Sequence, residues 1–408
     1  MPSRIDGKLR VGFVSSFPPT KCGVASYSAR LVRELGKRAD LVVIADVSQD
    51  EGLNDPPYVL RVWRRNSLFY PFTIFWHVIR QRVDVVHIQH EYLLYGDPYH
   101  SGLFPILPLL LRLLDKKVVI TMHSVVPRKS LTPEFFEKYG IGRRFSTLKK
   151  LCTIAVTKMI GFFASTLIVH NKISKETLIR DYRFKPEKIH VIPHGVEVKE
   201  TNITQREAKR KLGLEGLNVL LFFGFIKPGK GLEHLIKALP KILKEHPNTK
   251  LLIAGGGHPH VDEWADSYAR KIQDLIDQLG VKDAILMTGG FVPEEDVPIY
   301  ITAADICIMP YDQNEIISAS GVLQIYASHG KPLVAAKVYQ TSELTHGVNA
   351  LLVPPKDPNH LSQAVIKLLS NTELKMKLGR SIRRLAEENG WKNVAKKTLN
   401  LYKEVARR

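Results

Sequence analysis

A chain of 408 residues with a net charge of +19 is too long for one ordinary core, so about two domains are expected. Its apolar share of 44% and charged share of 24% are those of a soluble globular protein. Three widely separated cysteines, Cys22, Cys152 and Cys307, suggest neither a disulfide framework nor a zinc site and point to a reducing, cytoplasmic home.

The first residues run straight into a strand and lack the apolar core of a secretion signal. The closest approach to a membrane span, Cys152 to Val169, is interrupted by Lys158 and Gly161 and reads better as a helix feeding a buried strand. The positive excess is mainly N-terminal: residues 1–200 hold 31 Lys/Arg against 18 Asp/Glu, and the remainder 28 against 22. Its clusters are Arg61, Arg64 and Arg65, then Arg112, Lys116 and Lys117, then Arg143, Arg144, Lys149 and Lys150. Such clusters are solvated helix faces or attract polyanions, among them nucleotide phosphates and acidic lipid. Nucleic acid ranks last, because no recognisable binding module accompanies the charge.

In chain order, residues 10–16 form a first strand, stopped by Pro18-Pro19. A helix follows from Gly23 and Val24, with Ala25, Tyr27, Leu31 and Leu35 at helical spacing and room for phosphate or sugar over the glycine. Further strands fall at 40–46, at 84–91 ending in His90-Glu91, at 116–124 ending in His123, at 166–170 and at 188–197. Segments 67–82 and 104–117 mix apolar residues with Arg and Lys, as both surface-lying helices and core helices do. Strands alternating with helices, and ionisable residues at strand carboxyl ends, predict a doubly wound parallel sheet with its site above those ends. His123 and Glu91 at strand tips are equally readable as satisfied core residues.

The turn Pro193-His194-Gly195 is the expected domain boundary. Beyond it the same grammar restarts: a strand from Asn218, a loop with Gly224, Lys227, Lys230 and Gly231, and a helix with Leu232, Leu235, Ile236, Leu239, Ile242 and Leu243. An ammonium just before that helix can neutralise a diphosphate that the helix N–H groups also hold. The loop is not a Walker P-loop, and the glycine turn at 255–257 lacks the order of a dinucleotide fingerprint, which disfavours a nicotinamide cofactor. A strand and turn at 283–293 lead into Ala304 to Ala336, one strand-loop-helix-strand unit. Ser320 and Gly321 fall where its loop becomes the helix, so N–H groups and the positive helix end favour an anion. Glu315, in the same loop, could accept hydrogen bonds from sugar hydroxyls. An ordinary serine cap beside a surface glutamate gives the same pattern. A last strand at 349–355 and helices to residue 408 close the chain.

The residues together resemble the retaining glycosyltransferases of family four. The likeness is carried by the Gly23 loop, His123, Pro193-His194-Gly195-Val196, Gly224 to Gly231 with Lys230, the turn at 255–257, Ala304-Asp305 with Pro310, and Gly330-Lys331-Pro332-Leu333-Val334. IQHEYLLYG, GGGHP and SASGVL resemble a subgroup of presumed mannosyl or glucosyl transferases. The resemblance implies the GT-B architecture: two Rossmann-like doubly wound domains facing across a cleft. It implies an acceptor-binding domain over 1–194, a nucleotide-sugar domain over 195–390, and a final helix, 391–408, packed back on the first domain. Lys230 would touch the diphosphate and Ser320, Gly321 and Val322 its oxygens. Glu315 would hold the donor sugar, and His123 would lie beside the reacting sugar. Gly23, Val24, Gly224, Lys227 and Gly256 would line the donor, and His90 and Glu91 the acceptor side.

The implied reaction moves a hexosyl group from a nucleotide-diphosphate sugar, GDP-mannose by the subgroup likeness, to a carbohydrate or lipid-linked acceptor without a metal or other cofactor. Peripheral attachment to the inner face of an anionic membrane is a separate expectation. Two family positions differ: Phe225 stands where an Arg is usual, and Ile317 and Ile325 stand where a Glu pair is usual. A sugar-nucleotide epimerase and a non-catalytic sugar-nucleotide or membrane-binding module are the competing readings.

Overall fold

A computed structural model describes residues 8–47, 54–198, 203–256, 262–290, 292–293, 295–312 and 315–407, with the side chains of 262–266 outside that description. Chain contacts divide it into two compact units. The first takes Met1–Gly195, Glu315–Ala319 and Trp391–Arg408, and the second Val196–Asn314 and Ser320–Gly390.

The first unit runs β1 (Arg10–Ser15), α1 (Gly23–Leu35), β2 (Asp40–Asp46), β3 (Val59–Trp63), α2 (Tyr70–Arg80), β4 (Val85–His90), α3 (Pro98–Gly102), α4 (Ile106–Leu113), β5 (Lys117–Met122), β6 (Ser124–Val125), α5 (Pro133–Lys138), α6 (Ser146–Phe163), β7 (Thr166–Val169), α7 (Lys172–Tyr182) and β8 (Ile189–Val191). Seven parallel strands lie in the order β3-β2-β1-β4-β5-β7-β8. Central strands such as VVHIQH and KVVITM are buried almost throughout; helices cover both faces, so these strands need near-continuous apolar side chains rather than alternation.

The second unit runs α8 (Gln205–Lys211), β9 (Asn218–Phe223), α9 (Leu232–Glu245), β10 (Thr249–Ala254), α10 (Asp262–Leu279), β11 (Ile285–Met287), α11 (Val297–Ala303) and β12 (Ile306–Met309). The chain then contributes β13 (Ile317–Ser318) to the first unit and returns with α12 (Gly321–Ser328), β14 (Leu333–Ala336), β15 (Leu351–Val353), α13 (Pro358–Leu369) and α14 (Thr372–Glu388). Its parallel sheet has the order β11-β10-β9-β12-β14-β15. The strand order reverses beside β9 as it does beside β1, and such switch points leave a crevice at the strand carboxyl ends.

Two features lie outside what periodicity reveals. Helix α15 (Trp391–Arg407) belongs to the first unit, where Trp391, Val394, Leu399 and Tyr402 join the core of Tyr27, Leu31 and Leu35 from α1. Strand β13 pairs antiparallel with β6, Ile317 opposite Val125 and Ser318 opposite Ser124. The expectation that Glu315 belongs to the nucleotide-sugar domain is therefore corrected: Glu315–Ala319 is a detached piece of the first unit.

Candidate functional site

In the second unit the loops after β9, β10 and β12 converge. Gly231 caps α9 in the left-handed region at φ 70°, and a Cβ there would overlap the Pro310 carbonyl oxygen. Gly255, at φ 147°, lies so close to Gly224 that a Cβ would overlap the Gly224 carbonyl oxygen. Only glycine lets these backbones meet. Gly256 accepts the Ile226 N–H at 2.9 Å; Gly257 to Pro259, the rest of the glycine turn, lie outside the described residues.

Two ammonium groups and two helix starts gather on this glycine platform. Lys230 Nζ lies 3.9 Å from the centre of the Tyr311 ring, and the buried Tyr311 hydroxyl has no hydrogen-bond partner among the described residues. Lys227, although exposed, has its pKa lowered, first by desolvation and then by the charge of Lys230. At α12, Ser320 Oγ accepts the Leu323 N–H at 3.3 Å, while the N–H groups of Gly321 and Val322 have no acceptor among the described residues. Val322 lies against the loop, its Cγ2 3.4 Å from where a Gly224 Cβ would stand. Like charges beside open N–H groups favour a multivalent anion.

A carboxyl group that sequence reading misses stands beside the same helix. Glu343 accepts from Gln324 Nε2 at 3.2 Å, its other oxygen has no partner among the described residues, and burial raises its pKa. Nothing in the local sequence marks it. Glu233, His234 and Asp312 bring possible metal-ligand atoms within 4.8 Å of one another. Glu233 already meets Tyr268 Oη at 2.5 Å and Lys271 Nζ at 3.7 Å.

In the first unit α1 starts at Gly23, with Cys22 Sγ accepting the Ala25 N–H at 3.3 Å. A Cβ at Gly23 would meet nothing, and the same is true of Gly321. The fold needs glycine at neither helix start, whereas a ligand resting on the N–H groups of Gly23 and Val24 would. His90 is buried between the rings of Tyr92 and Phe104, at 5.7 and 4.7 Å, and burial lowers its pKa to about 4. Its Nδ1 is buried with no hydrogen-bond partner among the described residues, so ring packing alone does not satisfy it. Glu91 accepts from Tyr92 N–H at 2.8 Å and Ser124 Oγ at 2.6 Å; burial nevertheless raises its pKa to about 7.

His123 directly follows β5 and belongs to a buried polar chain. His170 Nδ1 is 3.1 Å from the Ile192 carbonyl oxygen, His170 Nε2 is 3.1 Å from His123 Nδ1, and His123 Nε2 is 2.9 Å from Gln89 Oε1. Filling those three gaps takes three protons on two rings, hence a buried positive charge. Burial opposes it, lowering the pKa of both rings, that of His170 to about 3. A half-turn of the Gln89 amide resolves the conflict. Its NH2 then donates to His123 Nε2, its oxygen accepts from His87 Nε2, and His87 Nδ1 accepts from the Tyr402 hydroxyl at 2.5 Å. Every bond then has one donor with all three rings neutral. His123 thus has both nitrogens engaged inside the first unit. Its neighbour His170 directly follows β7 just as His123 follows β5, the signal that could have found it.

Two family models match the chain: Glycosyltransferase Family 4 over residues 22–200 and Glycosyl transferases group 1 over residues 218–371. The chain belongs to the family 4 glycosyltransferases. Among curated relatives, an uncharacterized glycosyltransferase of Methanocaldococcus jannaschii is 29% identical over 246 residues, 58% of this chain and 59% of that protein. Mannosylfructose-phosphate synthase of Agrobacterium fabrum is 26% identical over 224 residues, 52% and 47%. Spore coat protein SA of Bacillus subtilis is 26% identical over 340 residues, 80% and 86%. The matches to the first two span only 59% and 47% of those proteins. Among solved structures, sucrose-phosphate synthase of Thermosynechococcus elongatus has a TM-score of 0.74 at 21% identity, covering 98% of this chain and 99% of that one. Anabaena HepE in complex with UDP has 0.72 at 17%, covering 97% and 100%. At these identities the likeness is one of fold, GT-B.

Where this family 4 chain departs from the usual residues, the structure gives a reason for one position. Ile317 is fully buried and paired in β13, a place where an unpaired glutamate would be costly. Glu315, two residues earlier, meets Lys138 Nζ at 2.8 Å, and its charge and hydrogen bond add to the burial that raises the Tyr139 pKa to about 12.

Proposed function

We propose that the chain transfers a hexosyl group from a nucleotide-diphosphate sugar to an acceptor hydroxyl with retention of anomeric configuration and without a metal. The observation that carries this reading is that Lys227 and Lys230 stand in the loop whose Gly224 lies against Val322, at the open N–H groups of α12. As the bond between anomeric carbon and phosphate breaks, the departing diphosphate gains negative charge, which these groups are arranged to stabilise. The acceptor hydroxyl attacks from the face the diphosphate leaves and gives its proton to a phosphate oxygen. His123, neutral and held at both nitrogens, steadies the sugar by packing. Glu91, with a pKa near neutrality, is the carboxyl suited to hold an acceptor hydroxyl.

HepE is a complex with UDP, and the subgroup likeness favours GDP-mannose, so the donor base is the first question for experiment. Thermal-shift titration with UDP-, GDP- and ADP-sugars answers it, since a ligand at a hundred times its dissociation constant adds about 2.7 kcal/mol. One base should stabilise the chain through its sugar diphosphate far more than through the nucleoside alone. Equal response to nucleoside and diphosphate would overturn the diphosphate assignment. A carbohydrate or lipid-linked acceptor is proposed with it.

A further inference from the structure

Helices α2, α4 and α6 follow successive strands that step in the same direction across the sheet, so right-handed crossovers put all three on one face of the first unit. Their outward sides are not those of ordinary surface helices. On α6 the solvent side carries Leu148, Leu151, Cys152, Ala155, Met159 and Phe162, a stripe at helical spacing along 18 residues, about 27 Å. Leu148, Leu151 and Phe162 expose 59%, 58% and 70% of their surface. The buried side holds Ile154, Ile160 and Thr157, whose hydroxyl returns to the Thr153 carbonyl at 2.8 Å, as Thr153 does to Lys149. Apolar residues thus stand on both sides of α6. On α2, Phe69, Phe72 and Trp76 expose 71%, 49% and 54% beside the buried stripe Tyr70, Ile74 and Val78. So much exposed apolar surface on adjacent helices marks an interaction face.

The charges on that face identify the occupant. No Asp or Glu occurs in α2, α4 or α6. The Arg80 guanidinium lies 4.6 Å from the Trp76 ring centre and that of Arg144 4.8 Å from the Phe145 ring. At the carboxyl end of α6, Lys188 Nζ donates to the Phe162 carbonyl at 3.2 Å. Burial, then the charges of Arg112 and Lys185, lower the Lys188 pKa to about 8. Of the neighbouring acids, Asp115 faces Lys117, and Glu134 and Glu137 face Arg143, which leaves the exposed Glu187 among the cations Lys185 and Lys188. A second copy of this chain would bring the same positive charge to the contact, whereas an anionic surface would relieve it.

We infer that the α2–α4–α6 face docks on an anionic phospholipid surface, Phe69, Trp76, Leu148 and Phe162 entering the headgroup layer and Arg80, Arg112, Arg144, Lys185 and Lys188 meeting lipid phosphates. Among the described residues no helix is long and apolar enough to cross a membrane, so the contact is peripheral. The inference does not depend on the transferase reading.

Flotation with vesicles of phosphatidylcholine alone, and of phosphatidylcholine mixed with phosphatidylglycerol, tests it at low and high salt. The full chain should float with the mixed vesicles at low salt, lose most of that binding at high salt, and shift its tryptophan emission to the blue on binding. The double variant Leu148→Ser/Phe162→Ser should bind about tenfold more weakly or worse, with its thermal unfolding and nucleotide response unchanged. Because these side chains are exposed, the variant should fold; Arg112→Glu is a second variant that weakens binding through charge alone. Absence of binding to mixed vesicles at low salt overturns the proposal. So does a concentration-dependent dimer in sedimentation that the double variant abolishes without any vesicle binding.

Discussion

An ammonium group over the Tyr311 ring, with a second lysine beside it, gains little until a polyanion arrives. Lys230→Ala should therefore cut turnover by about a hundredfold or more, the scale of losing one charge-stabilising donor; initial rates with the donor found by thermal shift measure it. Glu91 makes a prediction in pH. Its folded pKa, about 7, lies above the 4.5 of an ordinary glutamate, so its contribution to stability is present below about 4.5 and is lost as pH rises through 7. Glu91→Gln cannot ionise and should melt at a higher temperature, relative to the parent chain, at about pH 8 than at about pH 5; calorimetry at the two values reads the crossing. The glutamine still accepts the Tyr92 N–H and donates to Ser124, so the fold should hold. At this scale His123, Lys230 and Ser320 could be singled out from the sequence, because each ends a strand or starts a helix. Glu343 and Gln89 could not, since their importance comes from partners distant in the chain.

The proposed donor site is built on helix starts. Gly231→Ala would force a methyl group against Pro310 in a backbone conformation that side chains avoid. The expected cost is about 1 to 3 kcal/mol, together with weaker nucleotide binding, because α9 and Lys230 would shift together. Urea midpoints and nucleotide titration of the variant check both. The alternation of strands and helices was legible from period and punctuation. β3 was not, since Arg61 interrupts its apolar pattern, and neither was β13, whose two residues form a strand only because β6 offers them an edge. Segment 67–82 illustrates the limit of periodicity: α2 is apolar on its buried and exposed sides alike, and only burial separates Ile74 from Trp76.

Each unit has its own sheet and core, and the first is completed by α15. Deleting residues 391–408 would uncover Tyr27, Leu31 and Leu35 and leave His87 without the Tyr402 hydroxyl. The truncated chain should aggregate on expression, which its soluble yield would reveal. The two units should also answer acid differently. Burial lowers the pKa values of His87 and His170 to about 3 and of His90 and His194 to about 4, and pushes that of His123 down as well. All five lie in the first unit, so its stability, full above the ordinary histidine value of 6.5, is lost progressively as pH falls towards 4. Hydrogen exchange at stepped pH should show protection fading there first; equal loss in the second unit would contradict the histidine account.

The amino-acid order by itself determined two doubly wound halves, the glycine and lysine loop before α9 and the serine start of α12, because period, turn chemistry and helix polarity act over a few neighbouring residues. Only the tertiary structure decided that Glu315 joins the first unit, that His123 has both nitrogens engaged, and that α6 leaves an apolar stripe exposed opposite its buried isoleucines. Each of these depends on which distant groups share a buried space or leave a face uncovered, and no local window of sequence contains both partners.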